Sequence, residues 1–255
     1  MKNKSRTLII LMIIFSSILV LFSGCKWDSK GTKKKVEAKL KEKYNQSFST
    51  SAIGDRWNTD YTRLYCYPTN DKEILFEVTY YDNGEMTDDY IERKYECELE
   101  RELISDLKDA NIQAICRIDI AATGRDKNKN YSNMSLNEYI EDVETENLWT
   151  KLAINAESIK TDQDAKNLVN VIEKFSSKHN SVGVLIATWF IKNEQYDDCV
   201  EYFKKYPDIS FTTMRIDYAE NSDKSERTTT IYVNRTKGSQ TEIYPISIME
   251  AAKVK

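Results

Sequence analysis

The sequence predicts an α+β protein in which helices pack on small antiparallel sheets, arranged as two compact units. Stretches in which apolar residues recur every three to four positions alternate along the chain with stretches of two-residue alternation. In addition, 40% of the 255 residues are hydrophobic, and only 3 Pro and 7 Gly interrupt them. This composition favours packed cores over long disordered linkers. The two predicted units span residues 33–110 and 111–255.

The first unit is predicted to begin with a helix over residues 33–48, followed by an antiparallel sheet. Apolar side chains recur at four-residue intervals along this helix. They are Val36, Leu40, Tyr44 and Phe48. A short strand ends near Gly54, and the alternating stretches 61–68 and 73–81 predict two more strands. The Asn83-Gly84 pair then predicts a tight turn.

A helix over residues 87–109 is predicted to close the first unit. Its apolar side chains again repeat every four positions. They are Ile91, Tyr95, Leu99, Leu103 and Leu107. With both helices on one face of the sheet, the unit would be a compact α+β layer structure.

The second unit is predicted to alternate strands with capped helices. A strand over residues 112–122 comes first, and a strand over 148–158 lies between two helices. Ser135 and Thr161 each precede an acidic residue three positions later. This capping-box pattern predicts a helix start at both places.

The apolar run 181–191 is rich in β-branched residues and predicts a central strand buried on both faces. A buried helix is the alternative, because periodicity does not separate the two in a short run. A helix over residues 193–206 follows and ends before Pro207. Residues 211–220 and 227–236 then predict a long hairpin.

The N-terminus has the layout of a secretory signal. Three basic residues come first, and the apolar run 8–22 follows them. The basic residues are Lys2, Lys4 and Arg6. The apolar run is shorter than the roughly 20 residues that a spanning helix needs, which favours a cleaved signal peptide. An uncleaved N-terminal anchor helix is the alternative.

The segment LFSGC, residues 21–25, resembles the lipobox of bacterial lipoproteins. Ser23, Gly24 and Cys25 match their positions in that motif, and Phe22 replaces the commoner Leu. The resemblance implies that residues 1–24 are removed as a signal peptide and that the Cys25 thiol carries diacylglycerol. Two acyl chains give stable anchoring, so the chain is expected on the extracytoplasmic face of the cell membrane.

Residues 25–32 are predicted to form a short tether between this anchor and the first helix. The tether and the helix after it are rich in lysine. Close to an anionic membrane surface, such lysines are worth about 1 kcal/mol each. A solvated tether without membrane contact is the alternative interpretation.

Residues 33–110 also resemble uncharacterised lipoproteins of low-GC Gram-positive bacteria. The shared pattern is a helix, a Trp, a strand with Tyr, Cys and Pro, and an Asp-Tyr pair at a helix start. The matching positions are Trp57, Asp60, Tyr61, Cys66, Pro68, Asp89 and Tyr90. This resemblance implies a location rather than an activity.

No arrangement of residues in the sequence indicates catalysis, so no catalytic residue, metal ligand or cofactor is predicted. The single histidine, His179, is expected in a solvated loop. An EF-hand-like run begins at Asp126, but Tyr131 stands where the loop needs Gly, and Asn137 stands where it needs Glu. The formal net charge of −4 argues against a nucleic-acid partner, which would select for a basic domain.

One strand offers a candidate binding face. If Leu64 faces the core, the alternate side chains of residues 61–68 share the opposite face, near Trp57. Those side chains are Tyr61, Arg63, Tyr65 and Tyr67. Exposed Tyr, Trp and Arg suit a contact surface. Alternatively, the helices cover this face and the tyrosines belong to the core.

The sequence therefore favours a non-catalytic binding module for an extracytoplasmic protein or a cell-wall component. An immunity-type lipoprotein that neutralises a secreted toxin is one alternative, since an acidic chain suits a basic partner. A carboxylate-based hydrolase is the other. The four cysteines after Cys25 show no redox or zinc spacing and are predicted to be free, mostly buried thiols. They are Cys66, Cys97, Cys116 and Cys199.

Overall fold

A computed structural model describes residues 29–54, 59–126, 129–205 and 233–235. These residues form helices and two four-stranded sheets, which confirms the α+β class. The lipobox-like segment with Cys25, the candidate Trp57 and most of the predicted 211–236 hairpin lie outside them. Within the described ranges, no helix is both long enough and apolar enough to span a membrane.

Sheet 1 has the strand order β1-β2-β3-β4 and is antiparallel throughout. Its strands are β1 (Phe48–Ile53), β2 (Tyr61–Pro68), β3 (Phe76–Tyr81) and β4 (Met86–Asp88). Helix α1 (Ser29–Tyr44) precedes the sheet and α2 (Tyr90–Asp109) follows it. The predicted turn at Asn83-Gly84 connects β3 to β4, where Gly84 adopts a φ of 87° that suits glycine.

Sheet 2 has the order β5-β6-β7-β8 and is mixed, because β6 and β7 are parallel. Its strands are β5 (Ala114–Ala122), β6 (Thr145–Asn155), β7 (Gly183–Ile191) and β8 (Val233–Arg235). Its helices are α3 (Leu136–Asp142), α4 (Asp162–Lys178) and α5 (Asn193–Lys205). Helix α4 makes the crossover that a parallel pair requires. Both predicted capping boxes are present, at Ser135 and Thr161.

Helix α2 joins the two sheets into one core. Its apolar side chains are buried in a cluster that also contains residues of β2, β3, β5, β6 and β7. It contacts β3 on one side and β5 on another. The predicted units 33–110 and 111–255 thus share a continuous hydrophobic core.

Strand β7 is buried along almost its whole length, as expected for a central strand rather than a helix. Helix α4 covers one face of sheet 2, and α5 packs on the other face in a second, smaller cluster. Trp189 and Phe203 are centres of that cluster and are 0% and 1% exposed. The four described cysteines are free and buried, as predicted.

The structure differs from the predicted boundaries of two helices. Helix α1 begins at Ser29, so residues 29–32, predicted as tether, are helical, and it ends at Tyr44. It ends there because Asn45 adopts a positive φ of 51°, a conformation that terminates helices, so Phe48 lies in β1 instead. Helix α2 begins at Tyr90 rather than residue 87, because Met86–Asp88 pairs with β3 as β4.

Candidate functional site

The outer face of β2 carries the predicted candidate residues. Leu64 and Cys66 are 0% exposed and point to the helices, while the alternate side chains point the other way. These are Tyr61, Arg63, Tyr65 and Tyr67. The three tyrosines are half-buried and the Arg63 side chain is 59% exposed. Because α1 and α2 pack on the Leu64 side, the described helices leave the tyrosine face open.

Neighbouring strands extend this surface, which we call the tyrosine face. The strand register places Glu77, Thr79 and Tyr81 of β3 opposite Tyr65, Arg63 and Tyr61 of β2. The Tyr61 and Tyr81 rings lie 6.0 Å apart between centroids. The Arg63 guanidinium lies 5.7 Å from the Tyr61 ring and 3.6 Å from a Glu77 carboxylate oxygen. The face therefore combines aromatic rings with paired charges.

A cleft of about 220 Å³ adjoins the tyrosine face at its β3–β4 side. Glu77 and Thr79 belong to both the face and the cleft wall, and Thr87 of β4 lies opposite Thr79. The end of α1, the start of α2 and the segment after β5 complete the walls. The polar residues from these parts are Lys43, Asp88, Asp89, Arg125, Asp126 and Lys129.

The basic side chains of the cleft are each engaged by a carboxylate. Lys43 Nζ lies 2.8 Å from Asp88 Oδ2, and the Tyr44 hydroxyl donates to Asp88 Oδ1 at 2.6 Å. Arg125 pairs with Glu92 at 2.8 Å and also donates to the Asp88 carbonyl oxygen at 2.9 Å. Lys129 pairs in the same way with Asp142. The charges of the cleft are therefore largely compensated within the protein.

Among the carboxyl groups of this cleft, Asp89 has a strongly raised pKa. Its Oδ1 accepts the Glu77 backbone N–H at 2.8 Å. Burial raises the pKa of Asp89 to about 7, and the nearby Glu92 charge adds to the rise, while the Glu77 hydrogen bond and Arg125 oppose it. Asp89 therefore exists as both acid and carboxylate near neutral pH, and such groups in clefts are functional candidates.

A buried ionic cluster between α2 and β5 is a structural feature. Arg93 donates to both Glu100 oxygens at 2.8 Å, and Arg117 donates to Glu100 at 3.1 Å. Glu100 also accepts the Ile118 backbone N–H at 3.1 Å, on the edge of β5 that faces away from β6. Because its lone pairs are occupied, Glu100 is not available as an acid or base.

Glu96 performs the same role one turn earlier in α2. It accepts the Ile120 backbone N–H at 3.0 Å and an Arg93 hydrogen bond at 3.1 Å. Burial raises its pKa, while the positive charge of Arg93 opposes the rise. Glu96 and Glu100 thus satisfy two backbone donors that the edge strand would otherwise leave unpaired.

The prediction that His179 is solvated is wrong. His179 follows the last residue of α4 and is only 6% exposed. Its ring packs against Phe175 at 4.8 Å between centroids, and Nε2 lies 3.3 Å from a Glu102 oxygen. Burial lowers the pKa of His179, although Glu102 opposes the effect. A buried position at a helix end explains the difference.

In the parts of the chain that the structure describes, no group of His, Cys, Asp and Glu side chains could hold a metal ion. The EF-hand-like run is organised differently from a calcium loop. The Tyr131 hydroxyl accepts the Asp126 backbone N–H at 2.9 Å, and the Tyr131 ring is buried.

The structure thus places Tyr61, Arg63, Tyr65 and Tyr67 together on one face that the described helices do not cover, whereas Trp57 lies outside the described residues. Sequence reasoning missed the cleft. Asp89 had been singled out only as part of an Asp-Tyr helix start. Arg125, whose charge opposes the rise in the pKa of Asp89, comes from a distant segment, so no local pattern connects the two.

The comparisons with known proteins bear on the fold alone. The chain matches no protein-family model and no curated protein. Its fold is similar to the crystal structure of a DUF5037 family protein from Ruminococcus gnavus, with a TM-score of 0.61 and 16% sequence identity. The similarity covers 87% of this chain and 98% of that one. It supports the α+β architecture.

Proposed function

We propose that this protein is a membrane-anchored, extracytoplasmic lipoprotein that acts as a non-catalytic binding module. The tyrosine face is its contact surface, and the partner is an extracytoplasmic protein or a cell-wall component. One observation carries the proposal: the alternate side chains of β2 that face the helices are buried, while the opposite face presents Tyr61, Arg63, Tyr65 and Tyr67.

The composition of this face suits recognition. Tyr and Arg are enriched where binding energy concentrates, because both combine large contact area with hydrogen-bonding groups. Tyrosine also loses little side-chain entropy when it is fixed. The face sits on a rigid, hydrogen-bonded sheet, so little of the binding free energy goes into ordering the backbone.

The lipid anchor would place this face outside the cell. The lipobox-like segment 21–25 supports an anchor at Cys25, and α1 begins at Ser29, only four residues later. At most about 14 Å of extended chain would then separate the anchor from the folded part. The binding module would therefore work close to the membrane surface.

Replacement of two face residues tests the proposal. We expect the variant Tyr65→Ala/Tyr67→Ala to lose about ten-fold or more in affinity for isolated cell walls or for a partner retained from native membranes. The matched control is Glu98→Ala, an exposed change on α2, outside the tyrosine face. Binding measured by co-sedimentation and pull-down that is equal in both variants and wild type would rule out the tyrosine face as the contact surface.

A further inference from the structure

We propose that the cleft between β3, β4 and Arg125 binds one neutral sugar unit of a cell-wall glycan, and that the following units lie across Tyr65 and Arg63. This inference rests on the proposed function and specifies its partner. It turns the cleft and the tyrosine face into one continuous site, in which the cleft holds a single unit and the face holds the chain.

The size of the cleft favours a small ligand unit. Its volume of about 220 Å³ is below the roughly 300–1,000 Å³ that drug-sized ligands occupy. Its lining is largely polar: Ile91 is the single aliphatic residue among the lining residues, and Tyr44 and Tyr131 add aromatic rings. A ligand in this space must therefore form many hydrogen bonds and bury little aliphatic surface.

The charges in the cleft favour a neutral ligand. Lys43, Arg125 and Lys129 each contact a carboxylate of the protein, so none offers an uncompensated charge to an anion. A phosphate or carboxylate ligand is typically held by charge-assisted, often bidentate bonds from cations that are available to it. A polyhydroxyl ligand instead uses the donors and acceptors around these ion pairs.

Two threonine hydroxyl groups supply both hydrogen-bond donors and acceptors in the wall of the cleft. Thr79 and Thr87 are direct neighbours across β3 and β4, and both line the cleft. Neither hydroxyl hydrogen-bonds to another group in the described part of the chain. Each can donate one hydrogen bond and accept others. Asp89, whose Oδ1 accepts the Glu77 N–H, also lines the cleft.

The cleft adjoins the tyrosine face through two shared wall residues. Glu77, in the cleft wall, lies opposite Tyr65 in the strand register, and Thr79 lies opposite Arg63. A chain that leaves the cleft in this direction meets the Tyr65 ring and the Arg63 guanidinium. An aromatic ring offers a flat apolar surface with a polar tip, which suits a sugar that has apolar C–H faces and a hydroxyl rim.

Titration calorimetry on the purified full chain in detergent tests the inference. The probes are N-acetylglucosamine and its β-1,4-linked oligomers up to the hexamer. We expect the single sugar to bind weakly and the longer oligomers to bind about ten-fold more tightly or better. The double variant Thr79→Val/Thr87→Val keeps side-chain shape and should weaken the binding of every probe about five-fold or more.

A second variant separates the cleft from the face. Tyr65→Ala should abolish the gain in affinity with oligomer length and leave the single sugar unaffected. Glu98→Ala is the control, because Glu98 is exposed on α2, outside both the cleft lining and the tyrosine face, and its replacement should change neither quantity. Circular dichroism and thermal unfolding verify that each variant is folded.

The possible results discriminate between the two proposals. Oligomer binding that depends on Tyr65 but is unchanged by Thr79→Val/Thr87→Val would overturn the cleft assignment and leave the tyrosine face intact. Single-sugar binding that depends on the threonines, without any length effect, would support the cleft and count against the face. Binding of glycine or a dipeptide in the cleft, with no sugar bound, would overturn the sugar assignment.

Discussion

The protonation state of Asp89 is decided by burial, which favours the acid, against local interactions that favour the carboxylate. It occupies the N-cap position of α2, where the helix dipole favours a negative charge. Its side chain, however, forms no hydrogen bond to the N–H groups of the helix and accepts the Glu77 N–H instead. Burial outweighs the dipole and the hydrogen bond, so the pKa is raised to about 7.

This raised pKa predicts that Asp89 makes stability depend on pH. The folded state holds the Asp89 proton up to about pH 7, whereas the unfolded chain releases it near the ordinary value of 3.8. The resulting stabilisation is complete below pH 3.8 and is lost as the pH rises through 7. It should fall by about 2 kcal/mol between pH 5 and 8. Asp89→Asn keeps the acceptor for Glu77 and removes the titration.

Urea unfolding of both proteins across this pH range measures the effect. The free energy of unfolding of Asp89→Asn relative to wild type should increase from pH 5 to about pH 7 and level off above it. The control Asp60→Asn changes an exposed carboxylate at the start of β2 and should leave the slope unchanged. Parallel pH profiles for wild type and Asp89→Asn would show that Asp89 titrates normally.

At the scale of elements, α2 has two distinct interaction surfaces. Its apolar stripe packs into the shared core, and its Glu96–Glu100 side satisfies the open edge of β5. An edge strand with unpaired N–H groups invites pairing with another chain, so this contact also protects against aggregation. Sheet 1 uses the same device, because Glu37 of α1 accepts the Thr50 N–H of β1 at 2.9 Å.

We predict a large loss of stability when this edge contact is removed. Glu100→Ala leaves Arg117 without its buried carboxylate, leaves Arg93 with Glu96 alone, and leaves the Ile118 N–H unpaired. Breaking a buried ionic network in this way costs about 3–5 kcal/mol. Glu98→Ala, two positions away on the exposed side of α2, should stay within about 0.5 kcal/mol of wild type. Chemical denaturation measures both, and equal losses would contradict a special role for Glu100.

Sequence patterns predict those features of this fold that depend on local periodicity. The alternation in β2 correctly assigns Leu64 and Cys66 to the core, and the capping boxes at Ser135 and Thr161 mark two helix starts. The helix ending at Tyr44 was missed because the apolar spacing continues to Phe48. The overlooked signal was Asn45, a residue that commonly ends helices in the left-handed conformation.

The cleft and the ionic cluster could not be predicted, because both depend on contacts between distant segments. Glu96 and Glu100 have the spacing of an ordinary solvated helix side. They are buried only because β5 lies against them. Likewise, Asp89 and Arg125 meet only after the segment beyond β5 folds back to the start of α2. Periodicity reports which face of an element is apolar, and does not report which other element covers it.

On the scale of the whole molecule, the fold is compatible with the predicted location at the membrane surface. The two sheets share one core, so the described part should behave as a single rigid body rather than as loosely linked units. Lysine side chains of α1 are exposed next to the predicted anchor, while Val36 and Leu40 fix the helix to sheet 1. If Cys25 carries lipid, these lysines would lie within reach of an anionic bilayer surface.

Replacement of Cys25 tests this arrangement. Cys25→Ala removes the thiol to which the lipid would be attached, so we expect the protein to leave the membrane fraction or to accumulate with its N-terminal segment uncleaved. Mass spectrometry of wild type should show a diacylated N-terminal Cys25, and Ser29→Ala should leave fractionation unchanged. An uncleaved anchor helix does not need the thiol. If Cys25→Ala keeps wild-type membrane retention, and its mass differs from wild type only by the substitution, the protein is held by an uncleaved helix and not by a lipid.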